Sequence, residues 1–130
     1  MNILVIDDDM EDIELFIEAF STIDTGYNIF SANNGKEGLE IARNIIPNII
    51  FLDINMPVMN GRKTLLALRK EESLKDTTTC MLSTTSNIEE IQSYYTAGAH
   101  GFIVKPPSFK ELCLALENFV ASHLNSSMVE

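Results

Sequence analysis

The sequence predicts an α/β fold: a doubly wound, five-stranded parallel sheet with helices on both faces. Three observations carry this. Five short apolar runs alternate with amphipathic stretches along the chain. At least three of the runs are largely apolar instead of alternating, as strands covered on both faces should be. Each strand is followed by a helical pattern, so adjacent parallel strands must be joined by right-handed crossovers, which lay helices on the two faces.

The elements follow in order. Residues 2–6 (Asn-Ile-Leu-Val-Ile) read as the first strand, and Ile13, Phe16, Ile17 and Phe20 mark one apolar face of the first helix. The second strand spans 28–32. Asn34-x-x-Glu37 is a weak capping box before a helix whose apolar face is Leu39, Ala42 and Ile46. The third strand is 48–52, followed by a helix suggested by Leu65, Leu66 and Leu68. The fourth strand is 79–83, and Ser86-x-x-Glu89 fits a capping box that opens the next helix. The fifth strand is 101–104. After it, Ser108-x-x-Glu111 caps the clearest helix, with Phe109, Leu112, Cys113, Leu116, Phe119 and Val120 at helical spacing. Residues 1–124 read as one domain with no linker or repeat, and 125–130 as a frayed tail.

Composition narrows the function. Asp plus Glu outnumber Lys plus Arg by 19 to 9, a net charge of −10, which repels nucleic acid and anionic lipid in the absence of a basic run. No stretch approaches the roughly 20 apolar residues of a membrane span, and the N-terminus lacks the pattern of a secretory signal, so a cytoplasmic protein is expected. Cys80 and Cys113 sit among apolar neighbours and read as free thiols.

In an open parallel sheet, ligands bind beyond the carboxyl ends of the strands. That rule turns strand ends into candidates: Asp7, Asp8 and Asp9 after the first, Asp53 in "FLDINMP" after the third, Ser83 and Thr84 at the fourth, Lys105 at the fifth. Asp9, Glu11 and Asp12 are explained as an N-cap and first-turn acids that favour the helix macrodipole. Asp7 and Asp8 are explained less well, because Asp53 should lie nearby and like charges disfavour mutual ionisation. A hard divalent cation with oxygen ligands would balance them, and Mg²⁺ typically takes one or two carboxylates beside waters and phosphate oxygens. Lys105 either joins a structural ion pair or aims its charge at a phosphate.

These residues resemble, in order and spacing, the receiver domain of two-component response regulators, over nearly the whole chain. The acidic pair falls on Asp7 and Asp8, and the phosphoacceptor on Asp53, followed by "INMPVMNG". The hydroxyl falls on Ser83, 22 residues before Lys105 and 15 before Gly98, and the Lys-Pro lies in "TAGAHGFIVKP". The resemblance implies a flavodoxin-like sheet of order 2-1-3-4-5 and a stand-alone regulator that is a phosphoacceptor, not a turnover enzyme. It implies that Asp53 takes a phosphoryl group from a histidine kinase or histidine phosphotransfer protein, and that the chain then binds a downstream protein target of unknown identity. It further implies Mg²⁺ on Asp8, Asp53 and the Asn55 main-chain carbonyl, with Asp7 acting through water, and Lys105 on a phosphoryl oxygen. A switch is implied in which Ser83 turns toward the phosphoryl group and Phe102 moves inward. Where the family often has Thr and Tyr this chain has Ser83 and Phe102, and phenylalanine cannot make a tyrosine's hydrogen bond. A cis Lys105-Pro106 peptide is also implied, which X-Pro bonds permit at modest cost.

His100 and His123 read as isolated surface residues, and Met56 and Met59 as packing the loop around Pro57. Tyr94 and Tyr95 cannot both face the core of one helix. By the resemblance, the face of the fourth helix, fifth strand and fifth helix docks partners, and an exposed tyrosine would lie there. Two other readings compete. Asp7-x-Asp9 after a strand resembles a haloacid-dehalogenase-type phosphatase with Asp7 as nucleophile, but the acidic pair that class needs beyond the lysine is missing. A receiver-shaped interaction module without phosphorylation is the other.

Overall fold

The computed structural model describes residues 1–23 and 26–128, with side chains through position 123. Strands β1 (Asn2–Ile6), β2 (Asn28–Ala32), β3 (Ile49–Asp53), β4 (Thr78–Ser83) and β5 (Gly101–Val104) alternate with helices α1 (Met10–Ile23), α2 (Gly35–Ile45), α3 (Gly61–Lys70), α4 (Ile88–Thr96) and α5 (Phe109–Met128). All pairings among these strands are parallel, in the order β2-β1-β3-β4-β5. This is the expected doubly wound sheet and strand order. The tail expected over 125–130 lies outside the described side chains.

Alternation along the strands divides the core in two, because successive side chains leave opposite faces. Ile3, Val5, Ile49, Phe51, Cys80 and Leu82 pack with Phe16, Phe20, Leu112 and Leu116 of α1 and α5. Leu4, Ile6, Ile50, Leu52 and Met81 pack with Leu39, Leu65, Leu68 and Tyr94 of α2, α3 and α4. Both faces are therefore covered, which is why the central strands need apolar residues at every position. No described helix is long and apolar enough to cross a membrane.

Some expected inward faces shift. Ile17 and Leu66 are exposed, and on α1 Ala19 is buried instead. Leu66 follows Leu65 by one residue, a turn of about 100° that points it away from the sheet. Ile46 lies beyond the end of α2, where it adopts a left-handed cap (φ 46°) and bonds back to the Ala42 carbonyl. Asn34 caps α2 as expected, accepting from the Glu37 N–H, and Ser108 accepts from the Glu111 N–H. At α4 the cap is Asn87, which accepts from the Glu90 N–H, and not Ser86. Thr85 takes up the intervening turn by accepting from the Asn87 N–H.

Candidate functional site

The register sets the site. β1 ends at Ile6, so Asp7 is the first residue past its end, with its N–H held by the Ala32 carbonyl of β2 at 3.1 Å. Its side chain is fully buried, and Oδ1 accepts from the Asp9 N–H at 3.0 Å. Asp53 is the last residue of β3 and buried; Asp8 is exposed beside it. Carboxylate oxygens of Asp7, Asp8 and Asp53 all lie within 4.8 Å of one another. The Lys105 N–H is fixed to the Ser83 carbonyl at 2.7 Å, and this sends its side chain over the same edge. There its Nζ lies 3.2 Å from Asp53, 3.3 Å from Asp7 and 2.9 Å from Asp12.

Ser83 ends β4 and is buried, its Oγ accepting from the Thr85 N–H at 3.1 Å. Met81 pairs with Phe102 and Ser83 with Val104, so Ser83 and Phe102 project from the same face of the sheet. Phe102 is half-buried there and packs against Tyr94, ring centroids 6.0 Å apart. Tyr94 is buried and Tyr95 exposed, so the two do part as one helix requires. The guanidinium of Arg62, from α3, lies 4.3 Å from the Tyr94 ring centroid and donates to Ser93 Oγ at 2.7 Å, tying α3 to α4.

The loop after β3 is tightly built. Ile54 N–H bonds to the Leu82 carbonyl and Gly61 N–H to the Ile54 carbonyl. A Cβ on Gly61 would come within 2.5 Å of the Asp53 carbonyl oxygen, so only glycine permits this return of the chain. Asn55 sits exposed in the loop. Val58 has φ 70° and is 83% exposed, a left-handed conformation that a β-branched residue adopts only under strain.

Electrostatics follow from burial. Desolvation pushes the Asp7 carboxyl from its ordinary 3.8 up to about 6, partly countered by the Asp9 N–H and raised further by Asp53. Asp53 is also raised, again chiefly by burial, with Lys105 acting against it. Burial alone would lower the Lys105 ammonium, but the Asp12 hydrogen bond and the charges of Asp53 and Asp7 outweigh it and hold the pKa above its usual range. Three carboxylates meet one ammonium, and a fourth, Asp8, lies beside Asp7 and Asp53. An all-oxygen cluster left net negative, with two buried members held above the usual carboxylate range, fits a hard divalent cation.

One expectation needs correcting. The Lys105-Pro106 peptide is trans, as are all described peptide bonds, which is the form favoured by about 0.5–1 kcal/mol for X–Pro. His100 is exposed, as a surface residue should be, with its Nδ1 accepting from the Thr79 N–H, and His123 is half-buried with its ring 4.0 Å from that of Phe119. Asp9 is the N-cap of α1, accepting from the Glu11 and Asp12 N–H groups. The residue that sequence reasoning missed at the site is Asp12, whose first-turn position gave it a sufficient explanation without Lys105.

Comparison with known proteins agrees with this geometry. The sequence pattern of the family described as "Response regulator receiver domain" matches residues 3–117. The transcriptional regulatory protein PrrA of Mycobacterium tuberculosis is 36% identical over 110 residues, covering 85% of this chain and 46% of that protein. The nitrate/nitrite response regulator protein NarL of Escherichia coli is 36% identical over 93 residues, covering 72% of this chain and 42% of NarL. The chain thus spans less than half the length of these curated relatives. Among solved structures, the chemotaxis response regulator CheY4 of Vibrio cholerae superposes with a TM-score of 0.81 at 30% identity, covering 90% of this chain and 96% of CheY4.

Proposed function

This chain belongs to the response regulator receiver family, and from that premise we propose that Asp53 is its phosphoacceptor. The observation that carries the reading is the meeting of a buried strand-end carboxylate with one ammonium and two further carboxylates on a single edge. Asp53 Oδ forms a bond to the phosphorus of a phosphohistidine as the N–P bond breaks, and that electron pair returns to the imidazole nitrogen. Phosphoryl transfer needs chiefly positioning and charge neutralisation, so a fixed carboxylate is a competent nucleophile. Lys105 meets a phosphoryl oxygen. Asp8, Asp53 and the Asn55 main-chain carbonyl would hold Mg²⁺, with Asp7 acting through water. Bound there, Mg²⁺ would neutralise charge on the phosphoryl oxygens.

The donor is a histidine kinase or a histidine phosphotransfer protein in the cytoplasm. The response runs through Ser83, whose hydroxyl leaves the Thr85 N–H for the phosphoryl group, and through Phe102, which shares its face and moves inward. With no hydroxyl on Phe102, its ring contact with Tyr94 is the polar-free link from the sheet to α4. A protein target reads the face of α4, β5 and α5, where Ile88, Tyr95 and Leu114 are exposed; the net charge of −10 disfavours nucleic acid as partner of this domain. A phosphatase built on the Asp7-x-Asp9 pair is disfavoured, since Asp9, which would be its general acid, is engaged as a helix cap.

The test is intact-mass analysis after incubation with Mg²⁺ and acetyl phosphate. One added phosphoryl group on the wild type and none on Asp53→Asn is the expected result. Equal labelling of both proteins would overturn the assignment, and labelling of neither with a cognate kinase present would favour an interaction module without phosphorylation.

A further inference from the structure

Of the three contacts that hold the Lys105 ammonium, the one to Asp12 is shortest: 2.9 Å, against 3.2 Å to Asp53 and 3.3 Å to Asp7. Nothing in the local fold demands it. The two residues lie 93 positions apart, and the amides of this helix turn are already capped by Asp9. The three carboxylates differ in depth. Asp7 and Asp53 side chains are 0% and 6% exposed, whereas Asp12 is 30% exposed at the rim. Asp12 and Lys105 also face a cleft lined by Leu15, Phe16, Pro106 and Leu112, between α1 and the start of α5.

A lysine ammonium is a point charge with three donors on a flexible stem. Here two donors are hydrogen-bonded, to Asp12 and Asp7, and Asp53 lies 3.2 Å away as an ion pair, so three carboxylates hold the ammonium that a phosphoryl oxygen would draw on. We propose that Asp12 is a positioning residue that tethers the Lys105 ammonium toward the rim in the resting chain and so restrains phosphoryl capture by Asp53. The inference rests on the reading of Asp53 as acceptor. During transfer, charge on the phosphoryl oxygens must be met as the Oδ–P bond forms and the N–P bond breaks, with its electron pair returning to the imidazole nitrogen. To meet that charge the Lys105 ammonium must move toward the phosphoryl group, against the pull of its hydrogen bond to Asp12 at the rim. Asp12 also adds one negative charge where a phosphoryl dianion must enter. Both effects act in one direction, so removing the carboxylate accelerates phosphorylation.

The test separates the tether from charge alone. Asp12→Asn removes the partner of Lys105; Glu11→Gln removes the same charge from an exposed neighbour on the same helix turn that takes no part in the lysine pairing. With acetyl phosphate and Mg²⁺, Asp12→Asn should be phosphorylated about three- to tenfold faster than wild type, Glu11→Gln less than about twofold faster, and Asp12→Glu at close to the wild-type rate. In metal-free protein, the ¹⁵N resonance of the Lys105 Nζ should shift in Asp12→Asn and stay in place in Glu11→Gln. Equal acceleration by the two charge-removing variants, or an unchanged or slower Asp12→Asn, overturns the tether. If the wild type takes no phosphoryl group, the reading of Asp53 falls instead, and an unshifted Lys105 resonance in Asp12→Asn then overturns the tether separately.

Discussion

At the N-terminal end of the sheet polar groups close on one another, whereas at the C-terminal end like charges are left facing. Across β2, β1 and β3, Asn2 N–H donates to Asn48 Oδ1, Asn28 Nδ2 donates to Asn2 Oδ1, and Asn48 N–H returns to the Asn2 carbonyl. Beside β4, the Arg69 guanidinium donates to the Lys75 and Thr77 carbonyls and to Thr79 Oγ1, with its stem against Gly98. At the opposite end Asp7 and Asp53 are buried with raised pKa values, and Val58 is strained with its side chain in solvent. The first end is held together by these hydrogen bonds, although the buried Arg69 Nε has none. The second holds groups that the fold would be more stable without, as expected where positions are kept for chemistry.

The largest expected effect lies at the closed end. Arg69→Ala removes three hydrogen bonds and the packing against Gly98, and should lower the unfolding free energy by about 2–4 kcal/mol in urea titrations while leaving the phosphorylation rate near wild type. Comparable loss of phosphorylation in the folded variant would break the division between the two ends.

Asp7→Asn should act in the opposite sense. Folding raises the Asp7 pKa to about 6, so between about pH 4 and 6 the folded chain binds more protons than the unfolded chain, and stability falls as pH rises through that window. The neutral isostere escapes this cost. It should be more stable than wild type by about 1–3 kcal/mol at pH 7, with the gain gone near pH 4. A loss of stability at pH 7 would mean that the Lys105 pairing outweighs burial.

These two tests concern residues of unequal legibility. Strand positions could be read to within one residue because both faces of the sheet are covered, which leaves continuous apolar runs. Asp7, Asp8, Asp53 and Lys105 could be placed on one edge because parallel strands all end there. The α4 cap lies one residue beyond the one the spacing predicts, since Ser86 and Asn87 both precede a glutamate at the capping interval and only the turn made by Thr85 selects between them. Arg69, Asp12 and the stack of Arg62 on Tyr94 depend on contacts between distant parts of the chain. No spacing rule reports those.

A smaller effect is expected from Val58→Gly, which relieves the left-handed strain and loses no buried contact. The gain should be about 0.5–1 kcal/mol, reduced by the greater freedom of glycine in the unfolded chain. A loss would show that Val58 makes contacts its exposure hides. The smallest effect should come from His100. Burial, then the Arg69 charge, lower its pKa, so the unfolded chain takes up a proton first and this contribution to stability declines as pH drops below about 6.5. The sign is opposite to that of Asp7. His100→Gln, which keeps an acceptor for the Thr79 N–H, should therefore lose less stability than wild type between pH 7 and 5.5, and an identical slope would remove His100 from the account.

The most direct measurement locates the phosphoryl group. An aspartyl phosphate is reduced by borohydride to homoserine, so the phosphorylated chain can be trapped, digested and sequenced by mass spectrometry. The account predicts homoserine at position 53 and nowhere else. Homoserine at position 7 or 8, or an unreduced phosphate on Ser83, would contradict it.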